Sequence, residues 1–99
     1  MDESVVKNLL MKPSQAIREG AKLVVENKGC YLHQGCGCAV GMMAAACGVH
    51  HIGGITHANA VLRDKIDLHN VDLVGISNIH STGRMTAAEI ADMLELEGH

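Results

Sequence analysis

The sequence has no tryptophan, no phenylalanine and a single tyrosine, Tyr31, so its core must be built from aliphatic side chains and methionine. Six methionines serve that need, because the flexible thioether fills irregular gaps that aromatic rings would otherwise occupy. Basic clusters are missing too. The eight Lys and Arg are scattered as single residues and the net charge is −3, which leaves no patch for phosphate and excludes nucleic acid as a partner. The longest near-apolar stretch, residues 38–48, is too short to span a bilayer, and no N-terminal signal pattern is present. A cytoplasmic protein with no membrane contact is therefore expected, with its four cysteines as reduced thiols or metal ligands; two disulfides would require export. No acid–base pair, phosphate loop or nucleophile elbow is evident, which weighs against an enzyme.

Ninety-nine residues make one domain, residues 1–99, with no repeat or linker. Val5, Val6, Leu9 and Leu10 predict a leading helix over residues 4–11, stopped by Pro13, the only proline. Ser14 is the expected N-cap of a second helix, with Ile17, Ala21, Val24 and Lys28 on one face and Gly29 at its end. Residues 38–47 carry no charge and no polar side chain except thiols, and Gly48 follows as a helix stop. That helix is apolar all round, so it belongs at the centre, where Gly41 and the alanines at 39 and 44–46 admit neighbours to its backbone. Thr56 is the expected cap of a helix to about Ile66, with Val61, Leu62, Lys65 and Ile66 partly buried. Residues 71–79 favour a helix through Val71, Val74, Gly75 and Asn78, although Leu73 and the apolar run after it also fit a short strand.

The last helix has the clearest start. Thr86 and Glu89 form a capping box, and Met85 and Ile90 stand at the two positions of a hydrophobic staple; Ile90, Met93 and Leu94 give it an apolar face, with Leu96 as a further candidate for it, and Gly98 closes it. The fold class expected is all-α, a compact single-domain bundle of about five short helices around a central small-residue helix.

Chemistry concentrates in Cys30, His33, Cys36 and Cys38, a Cys-x2-His-x2-Cys-x-Cys segment with glycines at 29, 35 and 37. Three thiols and an imidazole are zinc ligands, and His50, His51 or His57 could replace one of them from elsewhere in the fold. Against zinc, all four lie within nine residues, which strains tetrahedral wrapping, and reduced, partly buried cysteines around a glycine turn explain the segment without a metal. A further reading makes Cys36 and Cys38 a thiol redox pair activated by a helix N-terminus. Cys47 reads as a small core residue, and His69, His80 and His99 as exposed or helix-end residues. Residues 78–89 superficially match a calcium loop, yet Asn78, His80 and Thr82 supply no negative oxygen, and the capping box explains Thr86 and Glu89 without an ion.

Three blocks carry a resemblance: Ser14-Gln-Ala-Ile-Arg-Glu-Gly-Ala21, Cys38-Ala-Val-Gly-Met-Met-Ala-Ala-Ala-Cys-Gly48, and Asn78 with His80 followed by Met85-Thr86-Ala-Ala-Glu-Ile-Ala-Asp-Met-Leu94. Together they resemble a group of small helical proteins encoded by bacteriophages and prophages. The resemblance implies a compact helical protein of mobile-element origin and assigns no activity to any residue; the segment from Cys30 to Cys36 lies outside it. The reading favoured is a non-enzymatic module that binds a host or viral protein. A zinc-stabilised module on Cys30, His33, Cys36 and Cys38, and a thiol redox protein on Cys36 and Cys38, stand as alternatives. A homo-oligomer is left open.

Overall fold

The structure is a computed structural model that describes residues 10–99. The helix expected over residues 4–11 lies almost wholly outside them. Five helices and one small sheet follow in the order α1 (Pro13–Ala21), β1 (Val25–Glu26), β2 (Leu32–His33), β3 (Cys36–Gly37), α2 (Ala39–Ala46), α3 (Ile55–Leu62), α4 (Leu73–Ser81) and α5 (Ala87–Leu96). The central helix is where the sequence placed it. Residues 39 to 44 of α2 are all buried, and α1, α3, α4 and the hairpin pack around it.

The all-α expectation is corrected by the three-stranded mixed sheet, ordered β1-β3-β2, with β1 parallel and β2 antiparallel to β3. Two local causes produce it. Gln34 and Gly35 both hold positive φ, at 49° and 77°, the condition for a tight type I′ turn, so the expected glycine-rich loop becomes a hairpin. The second helix also stops at Ala21 instead of Gly29, because Val24 and Val25 suit extended backbone and the Val25 and Asn27 amides donate to the Gly35 and Gly37 carbonyls.

Pro13 at the first helical position replaces Ser14 as the start of α1, and Lys12 is the N-cap. Ser14 acts instead as a long-range tie: its amide and Oγ both donate to the His99 carbonyl, at 3.1 and 3.0 Å. Ser14→Ala is expected to cost about 1 kcal/mol, measured as a lower thermal midpoint; an unchanged midpoint would remove that tie from the account. Arg18 reinforces the same pairing of α1 with α5 by reaching Asp92 at 2.7 Å and Glu95 at 3.1 Å.

The other helix ends follow local chemistry. Gly54, not Thr56, caps α3, which ends at Leu62; Ile66 lies beyond it in a parallel bridge to Met11. Residues 73–81 are helical, so the strand alternative for that stretch is set aside. Thr86 Oγ1 accepts from the Glu89 amide and the Thr86 amide donates to the Glu89 carboxylate, completing the capping box. Gly48 and Gly98 sit at φ 82° and 88°, each followed by an amide bonded back to the helix, Val49 to Ala44 and His99 to Leu94.

Candidate functional site

The hairpin decides where the Cys/His segment points. His33 and Cys36 are cross-strand partners beside the turn, so their side chains leave one face of the hairpin while Leu32, one residue earlier, is buried on the other. Cys30 and Cys38 come together separately. The Cys38 amide donates to the Cys30 carbonyl at 3.0 Å, and both residues line a cleft of about 210 Å³ walled by Lys28, Tyr31 and the α4 residues Ser77, Asn78 and Ser81. Ser77 Oγ donates to the Tyr31 hydroxyl at 3.3 Å, which ties α4 to the segment ahead of β2.

Cys38 is the N-cap residue of α2, as the redox reading requires. It is also only 4% exposed, and burial pushes its thiol pKa up more than the Gly41 and Val40 amides at the helix start pull it down. Cys47, at the far end of α2, is half-buried, and burial raises its thiol pKa as well.

The histidines expected as substitute ligands fall into two groups. His51 lies edge-on to His33 with ring centroids 5.7 Å apart and stands 6.4 Å from His57, so three exposed imidazoles from separate parts of the chain share one surface. His50 lines a different groove. The Gly53 amide donates to His57 Nδ1 at 3.4 Å. Among the described residues, no three His, Cys, Asp or Glu side chains converge on a point a metal ion could occupy. Of the four ligands proposed from spacing, Cys30 and Cys38 share the cleft, whereas His33 and Cys36 share the hairpin face.

His80 departs from its expected exposure. It is fully buried on α4, and its Nε2–H donates to the Glu26 carboxylate on β1. The same carboxylate oxygen accepts from the amide of Ala87, the first residue of α5, at 3.0 Å. Burial pushes the Glu26 carboxyl pKa up, but the bonds from His80 and Ala87, with the charges of His80 and Lys28, outweigh it and hold the group below the usual carboxylate range. One side chain thus joins β1, α4 and the start of α5. His80 Nδ1 is buried with no hydrogen-bond partner among the described residues.

The remaining feature is an apolar edge. Leu23 and Val25 are 64% and 68% exposed, and Leu23 borders a groove of about 280 Å³ lined also by Val24, Leu32, Ala45, Val49 and His50. β1 is an outer strand of the sheet. Its Val25 and Asn27 amides point at β3, so by the alternation of a strand the Glu26 peptide groups point away from the sheet. This edge was hidden in the sequence, where the same residues continue a helical pattern; the β-branched pair Val24-Val25 is the one local cue against a helix.

No protein-family model matches the chain, and no curated protein or solved structure matches it. Among the described residues no helix is long and apolar enough to cross a membrane.

Proposed function

We propose that this protein is a non-enzymatic interaction module whose docking element is the open edge of β1, and that its partner supplies an extended apolar segment. The observation that carries the reading is the exposure of Leu23 and Val25 on either side of Val24, beside an apolar groove and a strand edge that pairs with none of the described residues. A segment laid along that edge satisfies the outward peptide groups of Glu26 and removes two large aliphatic side chains from water. The resemblance to bacteriophage and prophage proteins makes a host or viral protein the class of partner. The titratable groups support a binding role rather than a catalytic one, since the His80 imidazole is buried beyond a substrate's reach and its carboxylate partner is engaged with the fold.

The test compares wild type with the double variant Leu23→Asp/Val25→Asp as affinity baits. Both side chains are exposed, so the variant should fold with an unchanged thermal midpoint while losing the stoichiometric partner that wild type retains. Recovery of the same partner by both baits, or of none by wild type, would count against the edge.

A further inference from the structure

We infer that Cys30 and Cys38 are an oxidisable pair, which a peroxide converts into an intramolecular disulfide closing the base of the β2–β3 hairpin. The backbone supplies the first argument. The Cys38 amide is shared between the Cys30 carbonyl at 3.0 Å and the Tyr31 carbonyl at 3.2 Å, and a bond of that length keeps the Cys30 and Cys38 Cα atoms within about 7 Å, the reach of a disulfide. The cleft supplies the second, because Cys30 and Cys38 both line it and neither Cys36 nor Cys47 does. Cys36 meets Cys30 through its backbone, its carbonyl accepting from the Cys30 thiol at 3.5 Å, and Cys47 stands at the opposite end of α2. The pairing differs from the neighbouring Cys36 and Cys38 that the sequence alone suggests.

Burial sets the order of events. Cys30 is half-exposed and meets the oxidant first, while Cys38, 4% exposed, is screened from it. The Cys30 thiolate attacks one peroxide oxygen; the S–O bond forms, the O–O bond breaks, and the departing hydroxide takes a proton to become water, leaving a sulfenic acid. Cys38 sulfur then attacks the sulfenic sulfur. The S–S bond forms as the S–O bond breaks, and the second hydroxide leaves with the Cys38 proton as water. Two thiols are oxidised by two electrons in all, and one hydrogen peroxide is reduced to two waters.

The full-length protein treated with hydrogen peroxide, alkylated, cleaved with chymotrypsin at Tyr31 or Leu32 and sequenced by fragmentation gives the answer. The expected map is a link between Cys30 and Cys38 with Cys36 and Cys47 alkylated, so that two of the four thiols are lost and dithiothreitol restores them. Cys36→Ser should keep the link. Cys38→Ser should abolish it and leave Cys30 as a sulfenic acid that dimedone labels. A link through Cys36 or Cys47, disulfides only between chains, or four free thiols after peroxide would each overturn the inference; because the wild-type map decides, a poorly folding Cys38 variant does not shield it.

Discussion

Gly41→Ala is expected to lower folding stability by about 3 kcal/mol or more, read as a fall in the urea midpoint. A Cβ at this position would lie 1.5 Å from the Tyr31 carbonyl oxygen and 2.6 Å from its carbon. Those atoms are backbone, so no side chain can swing aside; the segment leading into β2 must move off α2 or the helix must shift. Gly20 repeats the arrangement on the opposite flank, where a Cβ would meet the Met42 carbonyl oxygen at 1.8 Å. Two glycines therefore let α1 and the hairpin rest directly on the α2 backbone. Gly54→Ala is the control, since nothing among the described residues lies within 4 Å of its Cβ and its backbone is extended, and its role as N-cap of α3 limits the expected loss to about 1 kcal/mol or less. Equal losses at Gly41 and Gly54 would contradict close approach as the basis of the core.

Removing the Glu26 side chain is expected to cost about 2–3 kcal/mol, because Glu26→Ala strands the buried Nε2–H of His80 and the Ala87 amide together. The pH dependence separates charge from packing. The folded carboxyl titrates below its ordinary value of 4.5, so its contribution is fully present above that value and is lost as pH falls through the lower, folded one. Thermal midpoints followed down to about pH 3 should fall more steeply for wild type than for Glu26→Gln, which keeps an acceptor and does not titrate. Parallel pH profiles for the two proteins would show that the Glu26 charge adds nothing to stability.

What the sequence revealed and what it concealed divide by range. The capping box at Thr86 and Glu89, the helix stops at Gly48 and Gly98, and the core helix between Cys38 and Cys47 rest on neighbours within a few residues, and each stands where local chemistry put it. The sheet does not. Val25 finds its partner Cys36 across a loop, and the turn that makes this pairing possible uses Gln34-Gly35, which lacks the familiar Asn-Gly or Asp-Gly cue. Nothing near Gly20 in the sequence signals its role, yet its missing side chain is what admits Met42. Nothing in the spacing links Glu26 to His80, 54 residues apart, and a histidine near a helix end is ordinarily exposed.

The candidate site follows the same rule. Spacing gathers Cys30, His33, Cys36 and Cys38 into one set, whereas in the fold His33 and Cys36 pair beside the type I′ turn and Cys30 and Cys38 line the cleft at the base of the hairpin. The apolar edge at Leu23 and Val25 emerges only once the chain has left α1 and joined β3.

Amide hydrogen exchange of the protein with and without the partner retained by the wild-type bait tests the central claim most directly. Strand addition to β1 predicts slowed exchange at the outward amide of Glu26 and its neighbours, with α4 and α5 unchanged. Protection confined to α4 and α5, with β1 exchanging as in the free protein, would contradict it.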